Sequence, residues 1–296
     1  MTETPVGRSG RPLIIAGATG YGVWPSNSLE GALRCLEAPI DGIEIDVQVT
    51  ADGHVVAHHD YRLSADQTRL DGAWLSKAGP PLKSLPLEEV RRFDVGRSRP
   101  GSESERRYPA REQMDGVRIP TLPELLSALR AAPGPPRLIY VEIKTDPTDP
   151  ANAPAPEAIV EAVIRDLLAA DYLAHAKIIA FDWQVLRLAG ARAPGIRTAH
   201  LTVPLPSGAP QPEERSPWAD GFDRRDFGGS ELRAIKAHGG VEWSPHFTDI
   251  NPDRIDEARE LGLLVGPWGL SKRDDIQRMT ALGVSSVTVS GRDWGL

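Results

Sequence analysis

Cysteine is nearly absent from this 296-residue chain. Cys35 stands alone, so no internal disulfide staples the fold, and a reducing compartment is the natural expectation. A basic excess is missing as well: 34 Lys and Arg face 41 Asp and Glu, for a formal net charge of -7. That is the wrong sign for a nucleic-acid partner, whose phosphates must be met by basic side chains. No apolar run approaches membrane-spanning length, and the first residues, 1–12, are polar. These absences lead us to expect a soluble, cytoplasmic protein with no membrane span and no nucleic-acid partner. The hydrophobic content of 40% is ample for a sizeable core, and α/β barrels commonly reach this length as one domain.

The segment 42–60, GIEIDVQVTADGHVVAHHD, organises the rest. On an extended strand, alternate side chains share a face, so Glu44 and Asp46 point one way while Ile43, Ile45 and Val47 point the other. Two adjacent acids repel unless a positive group lies between them. A hard divalent cation, Mg2+ or Ca2+, suits an oxygen-only donor set, although a plain strand with two solvated acids would also fit these residues. Ala51 to Gly53 makes a turn, and Val55 to Ala57 returns His59 and Asp60 toward the same end. His58 should face away on that strand, as a packing residue.

Around this segment, strand and helix signals alternate. Leu13 to Ala16 is a short apolar run feeding the glycine-rich stretch 17–22. Asn27 with Glu30 makes a capping-box start for a helix with Leu29, Leu33 and Leu36 at helical spacing. Residues 61–117 lose periodicity and gain proline and charge, which marks an insertion after the second strand. A helix over 122–129, a strand over 138–144, a Pro- and Asp-rich loop over 145–156 and a helix from Ile159 to Leu168 follow. Further strands are expected at 177–181, 197–202, 240–243, 263–267 and 285–289, with helices near 185–191, 230–238, 253–261 and 274–281. Asn251-Pro252 and Ser271 with Asp274 read as helix starts. Eight strands alternating with helices describe a (β/α)8 TIM barrel, a fold that places its chemistry where strands end and loops begin. Glu142 and Lys144 share a face at the end of one such strand. If Glu44, Asp46 and Glu142 all enter the barrel mouth, they can hold one cation, with Lys144 beside it as a point charge for a phosphoryl oxygen and His59 as proton donor or acceptor.

Glu44-Ile-Asp46, Asp52-Gly53, His59-Asp60 and Glu142-Ile-Lys144, in this order and spacing, resemble the glycerophosphodiester phosphodiesterase family. The similarity extends through Arg118-Ile-Pro-Thr-Leu122, Phe181-Asp-Trp183, Trp243-Ser-Pro245 and Pro267-Trp268. It implies a metal-dependent phosphoric diester hydrolase of lipid metabolism, acting on a small phosphoester with Glu44, Asp46 and Glu142 as metal ligands and His59 and Lys144 as catalytic groups. It also implies a second histidine, in a His-Arg pair at the end of the first strand, which this chain lacks: Gly17 and Ala18 stand there, or Ile15 and Ala16 if the alignment is gapped. No histidine precedes His54. Pro25-Ser-Asn27, Trp268-Gly-Leu-Ser271 and Val289-Ser290 also depart from the family pattern. Loss of one general acid or base typically costs about 10²-fold to 10⁴-fold, so the site is either retuned, toward another hydrolytic, lyase or cyclising phosphoester reaction, or inactive.

His200 and His246, near predicted strand ends, are candidates for the missing shuttle, though either could be a locally hydrogen-bonded histidine. Trp243 and Trp268 could wall a pocket or simply pack the barrel. Two other readings remain. The chain could be a non-enzymatic barrel that binds a phosphorylated ligand. It could also be a nicotinamide-dependent short-chain dehydrogenase, suggested by the glycines of 17–22 and by Tyr140 and Lys144 at Y-x-x-x-K spacing, which works only on a helix.

Overall fold

The computed structural model describes residues 11–204 and 216–294; most of the polar N-terminal segment lies outside them. Eight parallel strands form the barrel wall: β1 Leu13–Ala16, β2 Gly42–Val49, β3 Leu138–Ile143, β4 Ala176–Ala180, β5 Arg197–Thr202, β6 Glu242–Pro245, β7 Leu264–Val265 and β8 Ser286–Val289. They pair in the order β7-β6-β5-β4-β3-β2-β1-β8. The short β7 continues as irregular chain, and Thr288 N donates to Pro267 O at 2.8 Å and Ser285 N to Val265 O at 2.8 Å, which nearly closes the cylinder. Among the described residues seven helices sheathe it: α1 Leu29–Leu36, α2 Leu122–Ala131, α3 Pro156–Ala169, α4 Trp183–Arg192, α5 Glu231–Ala237, α6 Pro252–Glu260 and α7 Arg273–Ala281. Among the described residues no helix is long and apolar enough to cross a membrane.

Every residue of β2 is buried, as expected of a parallel strand covered on both faces. Ile43, Ile45 and Val47 enter the layer between wall and helices, together with Ile139, Val141, Leu125 and Val163. A separate cluster, Leu13, Ile15, Tyr140, Ile179, Ala199 and Leu201, fills the barrel interior. Lower in the interior, Lys177 Nζ donates to both oxygens of Glu242 at 2.8 and 2.7 Å and lies 4.0 Å from the Tyr140 ring centroid. This buried charge is fully paired, as it must be away from water.

Local chemistry sets several boundaries. Asn251 caps α6 by accepting from Arg254 N, with Pro252 at the first helical position. The cap expected at Asn27 is made by Ser28, whose Oγ accepts from Gly31 N at 2.9 Å. Asn27 is unavailable because it sits at φ 51° with its side chain turned into the barrel. The capping box expected at Ser271 is also absent: Lys272 is the N-cap residue of α7 and makes no side-chain cap bond.

Residues 61–117 leave the barrel after β2 and build a three-stranded antiparallel sheet from Arg69–Leu70, Ala73–Trp74 and Phe93–Asp94, with short helices Leu87–Val90 and Glu103–Arg107. The strand Val55–Ala57 pairs antiparallel with β2. It joins this excursion to the wall through an apolar cluster of Val56, Leu63, Leu82, Leu85, Val90 and Ile119.

Candidate active site

The barrel's functional end is assembled by the register of β2 on β3. Gly42 pairs with Leu138 and, four residues on, Asp46 pairs with Glu142. A Cβ at Gly42 would lie 2.4 Å from the Leu138 carbonyl oxygen, so only glycine allows this approach. The alternation that buries Ile43 and Ile45 outside the wall turns Glu44 and Asp46 inward. Glu44, Asp46 and Glu142 are all buried, and each offers a carboxylate oxygen within 4.8 Å of the others.

Neighbouring loops fix these carboxylates. Ala18 N donates to Glu44 Oε2 at 2.7 Å; Ala18 and Thr19 hold φ values of 41° and 57°, a left-handed backbone that non-glycine residues adopt at a cost. Asn27 grips Asp46 twice: its Nδ2 donates to Asp46 Oδ2 at 2.8 Å, and its Oδ1 accepts from Asp46 N at 2.9 Å. Lys144 Nζ bonds Asp46 Oδ1 at 2.9 Å and also Glu142 Oε1. The loop that starts at Lys144 is held in turn, since Tyr61 donates to Thr145 O at 2.6 Å and Thr145 Oγ1 to Asp182 Oδ2 at 2.8 Å.

Charge in this cluster does not balance. Fully ionised, three carboxylates against one ammonium would leave an excess of two negative charges in a buried site. Burial, then Asp46 and Glu142, pushes the Glu44 carboxyl well above its usual range. Glu142 is also raised, chiefly by burial, although Lys144 opposes the shift. Asp46 resists burial and is held below the ordinary carboxylate range by Lys144, His59 and the Asn27 bond. Lys144 is held above the usual lysine value: burial opposes this, but Asp46 and Glu142 outweigh it. A hard dication would cancel the excess, and a donor set made only of carboxylate oxygens suits Mg2+ or Ca2+.

These groups open into a cavity of about 420 Å³. His59 and Asp60 lie on its rim, exposed, with His59 Nδ1 and Asp60 Oδ1 2.7 Å apart. Lys144 works most strongly against protonation of His59, but Asp46, Asp60 and Glu142 together raise its pKa above the ordinary imidazole value. His58 was expected to face away, yet it also lines the cavity, because the strand has already ended at Ala57 and strict alternation no longer applies. Its Nε2 is buried without a hydrogen-bond partner, and burial lowers its pKa.

The remaining sequence candidates separate cleanly. His200 is not at the mouth: Ala199 and Leu201 point inward, so His200 points outward, 3.0 Å from His238 Nδ1 and packed edge-on against Trp183. Burial drives its pKa down to about 3. His246 bonds Thr248 Oγ1 at 2.7 Å and packs against Trp268 at a ring separation of 4.8 Å. Trp243 is a core residue whose Nε1 donates to Thr202 Oγ1, whereas Trp268 lines the cavity and forms an apolar wall with Ile179, Phe181 and Leu201. Tyr140 and Lys144 do not share a helical turn, since Tyr140 lies within β3, which removes the geometric basis of the dehydrogenase reading.

Sequence reasoning did not single out the groups that the excursion and the β1 loop bring to the mouth: Tyr21, Arg107, Tyr108 and Arg111. Tyr21 and Tyr108 meet edge to face at 5.3 Å. Arg111 Nε donates to the Tyr21 carbonyl at 2.7 Å, and its guanidinium carbon lies 4.4 Å from the Tyr108 ring centroid. The charged composition of 97–111 was the only signal available, and nothing in it distinguishes Arg111 from its neighbours.

Residues 17–290 match the glycerophosphoryl diester phosphodiesterase family. A curated glycerophosphodiester phosphodiesterase from Caldanaerobacter subterraneus subsp. tengcongensis is 25% identical over 263 residues, covering 89% of this chain and 87% of its own. A crystal structure from Silicibacter pomeroyi, of a protein assigned to the glycerophosphoryl diester phosphodiesterases, superposes with a TM-score of 0.84 at 29% identity, over 98% of this chain and 93% of that one. An Oleispira antarctica phosphodiesterase, solved in complex with its product sn-glycerol-3-phosphate, shares the fold with a TM-score of 0.68 at 18% identity, over 95% and 94% of the two chains.

Proposed function

Since this chain belongs to the glycerophosphoryl diester phosphodiesterase family, we propose that it cleaves a small phosphodiester with the help of a divalent cation, Mg2+ or Ca2+, held by Glu44, Asp46 and Glu142. The observation that carries this reading is the meeting of three buried carboxylates from β2 and β3 in a cavity that also receives Lys144 and His59. A bound dication would supply Lewis-acid polarisation of a phosphoryl oxygen and lower the pKa of a coordinated hydroxyl or water.

The protein's own groups do the rest. Ala18 N–H and Asn27 orient the carboxylates. Lys144 has three N–H donors and uses two on Asp46 and Glu142, which leaves one for a non-bridging phosphoryl oxygen. His59, on the rim and held toward its protonated form, gives its proton to the departing alkoxide as the phosphorus–oxygen bond breaks and a water oxygen bonds to phosphorus. The water's proton then restores the imidazolium. Products are an alcohol and a phosphomonoester.

A second course has one observation behind it: Gly17 and Ala18, lining the mouth at the end of β1, carry no proton-transferring side chain. With His59 as the one exposed histidine lining the cavity among the described residues, a hydroxyl of the substrate itself can attack phosphorus and yield a cyclic phosphate. In this course His59 enters neutral, takes that hydroxyl's proton and passes it to the displaced alkoxide as the phosphorus–oxygen bond breaks.

A screen of glycerophosphodiesters and related phosphodiesters with magnesium, calcium or manganese, followed by phosphorus NMR, tests both courses. Cleavage should need the cation, stop with chelator, and slow by about 10²-fold to 10⁴-fold in His59→Ala. A phosphomonoester as the first product rejects the cyclising course, and turnover indifferent to His59→Ala removes His59 as the proton carrier.

A further inference from the structure

We propose that Arg111, delivered by the 61–117 excursion, is the anion anchor of the mouth and takes the phosphoryl group of the substrate; the proposal rests on the phosphodiesterase reading. Arg111 is 8% exposed and lines the same cavity as the three carboxylates. Its surroundings are neutral: the Tyr21 carbonyl on Nε and the Tyr108 ring against the guanidinium plane. Among the described residues it has no carboxylate partner and no acceptor for its two terminal nitrogens. Arg107 also lines the cavity and adds repulsion. A guanidinium stays charged at any working pH, and burying a charge without a counter-ion is costly. The usual remedy, an acidic neighbour, is missing among the described residues although acids line the same cavity.

What fits such a fork is an anion that arrives from outside. The planar guanidinium matches two oxygens of a phosphoryl group, and Tyr108 and the Tyr21 carbonyl hold it in place before the ligand binds. The mouth therefore carries groups of both signs, three carboxylates from β2 and β3 and two arginines from the excursion that have no carboxylate partner among the described residues. A phosphodiester anion placed between a carboxylate-bound dication and Arg111 would satisfy both sides. The residues at the end of β1, Gly17 and Ala18, supply no cation for that role. The excursion thus takes part in phosphate recognition as well as covering the barrel.

The test is calorimetric titration of inorganic phosphate into the full-length, calcium-loaded protein, alongside KM for bis(4-nitrophenyl) phosphate. Wild type should bind one phosphate. Arg111→Gln should weaken phosphate binding and raise KM by about 10-fold to 100-fold, the span of one charged hydrogen-bond pair, while calcium affinity stays unchanged. Because Arg111 also ties down the Tyr21 loop, Arg111→Lys, which keeps the charge and loses the fork, is the second variant, and it too should bind phosphate more weakly. No phosphate binding in wild type, or wild-type affinity in the folded variants, overturns the anchor. Arg111-dependent phosphate binding in a protein that takes up no calcium would uphold the anchor and remove the metal-dependent reading. Calcium uptake with phosphate binding indifferent to Arg111 would do the reverse.

Discussion

Glu44 bears the least compensated charge in the mouth: its one close donor is a backbone amide, whereas Asp46 has Asn27 and Lys144. The sign of its effect on stability follows. Its folded pKa lies above the unfolded value, so in the metal-free protein this group adds stability below the ordinary carboxylate range and withdraws it as pH rises through the folded pKa. Asp46, held below its ordinary value, contributes stability above that value and loses it in acid. We therefore expect metal-free Glu44→Gln to melt a few degrees above wild type at pH 8, about 1–2 kcal/mol in a chain of this size, and to lose the stabilisation that calcium gives wild type. Thermal melts with and without calcium check this; a lower Tm in the metal-free variant would contradict it. The sequence made this trio legible because strand alternation places Glu44 with Asp46, and Glu142 with Lys144, before any tertiary contact is known. Arg111 was not legible. Its environment is made by Tyr21, ninety positions away, and by a segment with no periodicity from which to infer a facing direction.

At the level of elements, the site depends on how β2, β3 and their following loops are pinned. Asp182 caps α4 through Gln184 N at 3.0 Å and holds Thr145 Oγ1 at 2.8 Å, linking a helix start to the residue next to Lys144. Removing such a cap typically costs ~1 kcal/mol, within a range of about 0.5–2 kcal/mol. Asp182→Ala should lower Tm by a few degrees and lower kcat modestly, through Lys144, without abolishing metal binding; unchanged Tm and kcat would mean that the cap and the loop are independent of the site. Element existence was readable from the sequence wherever a period or a cap was strong, as at Asn251-Pro252. It failed where one residue had two possible duties. Asn27 has the side chain of a cap, but its amide is committed to Asp46, a long-range partner that local pattern cannot reveal. Similarly, His58 lies one residue past the strand end, so the alternation rule had already expired.

Across the whole molecule most charges pair locally, as Arg69 does with Asp94 and Arg97 with Asp115, but at the mouth they are sorted by element. The wall strands β2 and β3 bring acid to the mouth, the interior below them holds the closed Lys177–Glu242 pair, and the excursion brings Arg111, which has no carboxylate partner among the described residues. The barrel itself was legible because eight strand signals alternated with helix signals along the chain, the pattern of a parallel sheet covered by helices. The departures at the end of β1 were visible as missing residues, but which other residues share the cavity with them required the folded chain. The excursion packs on Val56 through a shared apolar cluster, so we expect barrel and excursion to unfold together, with a midpoint raised by calcium through binding to the folded state. The central claim is that three acids from two strands share one dication. Calorimetric titration of calcium or magnesium into wild type and Glu142→Gln tests it most directly. The account predicts saturable one-to-one binding in wild type and a loss on the order of 10²-fold or more in the variant, beyond the ~10-fold to 100-fold typical of disturbing a residue behind the ligands. Equal binding by the two proteins, or no saturable binding by wild type, would contradict it.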